Sequence, residues 1–164
     1  MSDDIPSYEA VVIGGGISGM YLTYRLRELG MHFHVFEAGS DIGGTWYWCR
    51  YPGARFDSES WSYGYFFDKE LLQEWDWKEH FSPQPDTLEY LNYVASKYDL
   101  RRDMTFNARA TAAVFDDEAN RWTVTFEDGR QVRGTLLITG LGVLSAPTLP
   151  NIPGRDDFEG QAFH

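Results

Sequence analysis

An α/β fold is predicted by three observations. A strand, a glycine turn, a helix and a second strand follow one another between residues 9 and 37. An acid, Glu37, closes the second strand. Beyond residue 104 come short strands without intervening helices, arranged as a β-meander that leads into one long apolar strand ending at Thr139.

The first strand runs from Glu9 to Ile13 and carries the apolar run Ala10-Val11-Val12-Ile13. Gly14-Gly15-Gly16-Ile17-Ser18-Gly19 comes directly after it. Residues 17–29 are predicted to be an amphipathic helix, because Leu22, Leu26 and Leu29 fall at i, i+4 and i+7. Ile17, Met20 and Tyr24, at i, i+3 and i+7, lie beside them. Gly30 is the expected stop, since glycine tolerates the left-handed conformation that ends a helix. His32 to Glu37 is the second strand.

Residues 38–68 read as loop-rich and aromatic. A short helix is expected over Lys69–Trp77, and Pro83 and Pro85 break the pattern after it. A longer helix is expected over Leu88–Tyr98, capped by Asp86 or Thr87. Strands are expected near Thr105–Asn107, at Thr111–Phe115 and at Arg121–Phe126. Asp128-Gly129 is a hairpin turn signal. It leads into Gln131–Thr139, whose Leu136-Leu137-Ile138 reads as buried. Three of the seven prolines fall between Val143 and Arg155, the signature of a linker.

Composition narrows the function. The net charge is −11, which disfavours a nucleic-acid or anionic-membrane surface. A local anion site remains open, because backbone amides can supply a positive field. Cys49 is the single cysteine, so no internal disulfide and no multi-cysteine metal site is expected. The four histidines show no metal spacing. No secretory signal and no apolar run of membrane-spanning length is present, and a cytoplasmic location is expected.

Gly14, Gly16 and Gly19 stand at G-x-G-x-x-G spacing. The first permits a tight turn, the second lets a pyrophosphate approach the backbone, and the third brings helix and strand together. The helix N-terminus then offers unpaired N–H groups to the phosphates. Glu37, 18 residues after Gly19, is placed to take the ribose hydroxyls of an adenosine. The unit alone suits FAD or NAD, and the acid disfavours the 2′-phosphate of NADP. A second glycine pair, Gly43-Gly44, and the meander resemble the Rossmann-type FAD-binding fold of the two-dinucleotide-binding-domain flavoproteins. In that resemblance Gly140-Leu141-Gly142 is a later backbone approach to the FAD.

Gly43 to Asp57, GGTWYWCRYPGARFD, packs five aromatics and two arginines into fifteen positions. Gly43, Gly44, Trp46, Tyr51, Pro52, Gly53 and Asp57 fill the pattern Ala/Gly-Gly-x-Trp-x4-Phe/Tyr-Pro-Gly/Met-x3-Asp. Phe158, Gly160 and His164 fit the first half of a second pattern, Phe-x-Gly-x3-His. On these residues the chain resembles the Baeyer–Villiger monooxygenases, from Val11 to its last residue. The resemblance implies FAD and NADPH as cofactors, with a ketone and O2 as substrates. A C4a-peroxyflavin would attack the ketone carbonyl to give an ester or lactone.

Site roles come with the resemblance. Gly14, Gly16 and Gly19 shape the turn, and Ile17 and Ser18 would bond the pyrophosphate through their amides. Gly43-Gly44 would carry the chain past the flavin phosphates and ribose, and Thr45, Trp46, Tyr47 and Trp48 would lie along the flavin ribityl chain and ring. Arg55 and Phe56 would border the nicotinamide, and Tyr63 would contact the FAD. Ala110 would offer backbone contacts to the adenine, and Gly140 would approach the cofactor from the last strand. Asp57 would sit beside the isoalloxazine ring and set the position and charge of an arginine from an NADP-binding domain. His164 would be a domain-junction residue. Residues 1–142 would be the FAD-binding portion, and 143–164 a linker toward the NADP-binding domain.

Plainer readings exist. Trp46, Tyr47 and Trp48 could be loop core, since most aromatics pack cores. Asp57 could start a helix at Glu59. Cys49 has no evident pairing histidine and reads as a bystander. A flavin N- or S-monooxygenase shares the two-domain plan, and a non-catalytic flavin-binding unit would need no second dinucleotide motif. The chain holds one G-x-G-x-x-G and not two, so the 164 residues alone are not expected to oxidise ketones.

Overall fold

The computed structural model describes residues 5–162. His164 and Phe163 lie outside the described residues, and with them the end of the second sequence pattern.

A six-stranded mixed sheet runs through the molecule. Its strands are β1 (Ser7–Ile13), β2 (Phe33–Phe36), β3 (Met104–Thr105), β4 (Ala110–Asp116), β5 (Arg121–Phe126) and β6 (Gln131–Thr139), in the order β3-β2-β1-β6-β5-β4. β3, β2, β1 and β6 are parallel, with Val11 opposite His34 on one side and Leu137 on the other. β6, β5 and β4 form the antiparallel meander. The β5–β6 turn is the expected one: Gly129 has φ +84°, and the Asp128 carboxylate accepts the Arg130 amide at 3.0 Å.

α1 (Ile17–Glu28) connects β1 to β2. Its buried face is Gly19, Met20, Thr23 and Leu26. Leu29, read from spacing as part of that face, is 65% exposed, because the helix has already ended and Gly30 at φ +67° turns the chain away. α5 (Gln84–Lys97) begins four residues before the sequence expectation, with Pro83 as its cap residue and Pro85 in its first turn. Proline is tolerated there because first-turn N–H groups have no intrahelical partner. So neither Asp86 nor Thr87 is the cap.

The aromatic stretch 38–68 contains two single-turn helices, α2 (Thr45–Trp48) and α3 (Ser60–Tyr63). α4 (Lys69–Glu74) stops three residues short of Trp77. The expected strand at Thr105–Asn107 is cut to two residues by Asn107, which has φ +54°.

Two apolar layers sandwich the parallel part of the sheet. The larger joins Ala10, Val12 and Val35 to Met20, Trp46, Phe56, Tyr65, Leu71 and the α5 residues Tyr90, Leu91 and Val94. The smaller lies on the other face, around Val11, Phe36, Val124, Phe126 and Val132. Leu136 departs from the buried reading of its run, being 48% exposed. It is paired with Ala10, but α1 packs over β1 and β2 rather than over Leu136, while Ile138, farther along the same face, packs against the larger layer. Among the described residues, no helix is long and apolar enough to cross a membrane.

Candidate functional site

Three passages of chain meet beyond the C-terminal ends of β1 and β6, where open α/β sheets place their ligands. The first is Gly14–Gly16. Gly14 has φ +107°, and a Cβ there would stand 2.5 Å from the Gly140 carbonyl oxygen. The second passage is Gly140, whose amide donates to the Ile13 carbonyl at 2.7 Å. The third is Gly43–Gly44: the Gly43 amide donates to the Gly15 carbonyl at 3.1 Å. A Cβ on Gly19 would overlap the Gly14 carbonyl oxygen, so only glycine lets α1 dock this closely.

α1 opens directly from this junction. Its first backbone bond runs from the Met20 amide to the Gly16 carbonyl, at 2.9 Å. The amides of Ile17, Ser18 and Gly19 therefore have no acceptor within the helix. Gly16 brings no side-chain cap, and the first turn carries no acid. The result is a shallow cradle walled by backbone and biased toward an anion.

Glu37 forms the floor beside it and is 5% exposed. Its Oε2 accepts the Gly15 amide at 2.5 Å, and its Oε1 accepts the Gly39 amide at 2.6 Å. The carboxylate thus ties the end of β2 to the glycine turn and is locked in one orientation. Each oxygen keeps a further lone pair.

The segment after Gly44 is divided between core and rim. Trp46 is buried, and its indole Nε1 donates to the Tyr63 hydroxyl at 2.8 Å. Tyr63 stacks on buried Phe56, with ring centroids 4.3 Å apart and planes 8° apart. Trp46 meets both rings edge-on at 5.8 Å. Burial raises the Tyr63 phenol, the Trp46 hydrogen bond opposes that, and the nearby Asp57 charge adds to the rise. Asp57 itself is exposed and does not cap α3, whose cap residue is Glu59.

The remaining positions sit at the rim. Tyr47 lies over Gly39, and its hydroxyl bonds Ser40 Oγ at 2.7 Å. Thr45 is half-buried and Trp48 exposed. Arg55 points to Glu79 at 3.0 Å and to the Phe81 carbonyl at 2.7 Å. Ala110 opens β4 two residues after Ala108, whose amide donates to the Glu37 carbonyl at 2.9 Å, and there the pairing of β4 with β5 slips by one residue.

The fold also recruits residues that local pattern does not single out. Gln84 Nε2 donates to the Trp46 carbonyl at 2.5 Å, and the Gln84 amide donates to the Ala54 carbonyl at 2.8 Å. Arg101 makes a two-pronged bond to Asp41 at 2.8 and 3.2 Å, just before the glycine pair. Tyr65 donates its hydroxyl to the Ile17 carbonyl at 2.7 Å. These side-chain bonds span 38, 60 and 48 residues of sequence, beyond the reach of helix or strand periodicity. The only local signal is that Gln84 lies between two prolines.

Comparison with known proteins agrees with this geometry. The profile of an NAD(P)-binding Rossmann-like domain matches residues 12–64. An acetone monooxygenase (methyl acetate-forming) of Gordonia sp. (strain TY-5) is 47% identical over 156 residues, covering 95% of this chain and 29% of that protein. A Baeyer–Villiger monooxygenase of Pseudooceanicola batsensis is 44% identical over 158 residues, covering 96% of this chain and 29% of that one. Over nearly its whole length the chain is similar to Baeyer–Villiger monooxygenases. The match extends to fold: a crystal structure of OTEMO in complex with FAD and NADP superposes with a TM-score of 0.87 at 44% identity, over 98% of this chain and 30% of that one. A phenazine N-monooxygenase of Lysobacter antibioticus is 42% identical over 165 residues, covering 100% of this chain and 30% of that protein. The chain thus spans about 29% of the length of the curated relatives it matches.

Proposed function

We propose that this chain is the FAD-binding part of an enzyme that uses NADPH and O2 to convert a ketone to an ester or lactone. The observation that carries the reading is the meeting of Gly14–Gly16, Gly43–Gly44 and Gly140 around the open end of α1. A Cβ on Gly16 would stand 3.3 Å from Gly44 Cα, so the two turns present bare backbone, as a closely approaching pyrophosphate requires. The relative named for forming methyl acetate from acetone, and the neighbour crystallised with FAD and NADP, support the same reading.

Each residue then has a physical task. The free amides of Ile17 and Ser18 hold the pyrophosphate. Glu37, pre-oriented by two backbone donors, takes the adenosine ribose hydroxyls with its spare lone pairs. Gly44, Thr45 and Trp46 run beside the ribityl chain, and the Trp46–Phe56–Tyr63 cluster walls the ring system off from water. Tyr47 and Trp48 border the cofactor at the rim, Arg55 and Phe56 face the nicotinamide side, and Ala110 and Gly140 offer backbone to the FAD. Asp57, exposed, is free to meet a cation from the NADP-binding part of the enzyme and hold its charge beside the ring. When bound, the flavin would supply the redox chemistry with NADPH and O2. Residues 1–142 form the FAD-binding portion and 143–164 the linker onward. The cytoplasm is the proposed compartment.

A second reading, an N-monooxygenase, is favoured by one observation, the 42% identity to the phenazine enzyme. Two measurements decide. The absorption spectrum of the purified protein, reconstituted with FAD if need be, is expected to show flavin bands; a colourless protein after reconstitution defeats both readings. Product analysis of the whole enzyme with a cyclic ketone and with an aromatic amine or N-heterocycle then separates lactone formation from N-oxidation.

A further inference from the structure

Resting on that reading, the structure assigns to Gln84 a positioning role: its side-chain amide holds the Trp46 backbone where the indole can lie against the flavin. Trp46 belongs to a helix of a single turn, Thr45–Trp48. So short a helix leaves its carbonyls without successors to bond them. The Thr45 carbonyl receives the Cys49 amide at 2.8 Å, and the Trp48 carbonyl receives the Arg50 amide at 3.2 Å. The Trp46 carbonyl receives Gln84 Nε2 at 2.5 Å, from a residue 38 positions away.

Gln84 is suited to this in three ways. It is 8% exposed, so its amide has little water to compete for it. It sits at the first position of α5, whose packing fixes its backbone. Its own amide donates to the Ala54 carbonyl, and Pro83 beside it bridges Arg55. One residue therefore joins both ends of the Gly43–Asp57 segment: Trp46 through its side chain, and the Ala54–Arg55 strand through the main chain. The Trp46 ring is held separately, by Tyr63. Two separate contacts, one on the backbone and one on the indole, define its position.

The donor chemistry makes the role testable. A glutamate in this place donates when protonated and repels the Trp46 carbonyl when ionised. A leucine fills the space and donates at no pH. The control is Ser82→Ala, which cuts the buried Ser60–Ser82 bond of 2.8 Å in the same strap without touching Trp46. The readouts, on the protein carrying this chain, are FAD affinity and the fluorescence of the bound flavin, which a contacting indole quenches.

Gln84→Leu is expected to weaken FAD binding roughly tenfold at every pH, the usual worth of one buried hydrogen bond, and to brighten the bound flavin. Gln84→Glu is expected to match the wild type at low pH and the leucine variant at high pH, while wild-type affinity stays flat across that range. Ser82→Ala is expected to lower the melting temperature and leave flavin brightness unchanged. The inference is overturned if Gln84→Leu and Ser82→Ala behave alike, or if Gln84→Glu shows no pH dependence. A wild-type protein that takes no FAD overturns the functional reading and this inference together, an outcome distinct from the other two.

Discussion

Gly16 and Gly44, 28 residues apart, pass so closely that a Cβ on Gly44 would stand 2.9 Å from Gly16 Cα. Gly44 also has φ +53° and ψ −120°, a region that side chains other than glycine avoid. Gly30 has a comparable φ of +67° but nothing within 4 Å of where its Cβ would be. Gly30→Ala is therefore expected to cost about 1 kcal/mol of stability, from conformation alone. Gly44→Ala is expected to cost about 3 kcal/mol and to abolish dinucleotide binding, because strain and contact add. Urea unfolding of the two variants, side by side, checks the difference.

Glu37 is a structural acid before it is a binding one. Removing its carboxylate strands the Gly15 amide, and with it Gly39, in a site closed to water. Glu37→Ala is expected to destabilise by about 2 kcal/mol without any ligand present, the usual cost of a buried unpaired donor. Equal urea midpoints for the variant and the wild type would show that the two amides find other partners.

The Trp46–Tyr63 bond should appear as a coupling. Tyr63→Phe leaves the Trp46 indole donor without its acceptor, and Trp46→Phe removes the donor. A double-mutant cycle on unfolding free energy is expected to return about 1 kcal/mol of interaction between them. A coupling of zero would mean the bond is fully replaced by water.

Alkaline pH should unfold the protein earlier than its acidic composition suggests. Burial pushes the Tyr90 phenol up to about 12, against the opposing bond from the Tyr65 amide. Burial likewise raises Tyr65. For Tyr98, burial and then the Asp68 carboxylate act together in the same direction. An unfolded chain releases these protons near pH 10. Between about 10 and 12 the unfolded state holds fewer protons than the folded one, so stability is full below 10 and falls as pH rises. Melting temperature against pH is expected to drop over that window, with the phenolate absorbance of these three tyrosines appearing as the fold is lost. Tyr90→Phe should start less stable at neutral pH and fall less steeply.

The sequence by itself determined the βαβ unit, the hairpin at Asp128-Gly129 and the family resemblance. Those features are local: a glycine that needs a positive φ, an apolar run of strand length, an acid at a strand end, and a spaced pattern from Gly43 to Asp57. Periodicity misjudged Leu29 and the apolar run misjudged Leu136, because exposure depends on what covers a side chain, and α1 ends before one and lies beside the other. It also misjudged the start of α5, because a proline in the first turn breaks no bond that the helix needs. The tertiary structure alone decided that Glu37 binds Gly15 and that Gly16 touches Gly44. It also decided that Gln84 and Tyr63 grip Trp46 from two directions. Each of these joins residues 17 to 38 positions apart. Closing such loops costs chain entropy that only the packed sheet and helices offset, so no local signal encodes the contact.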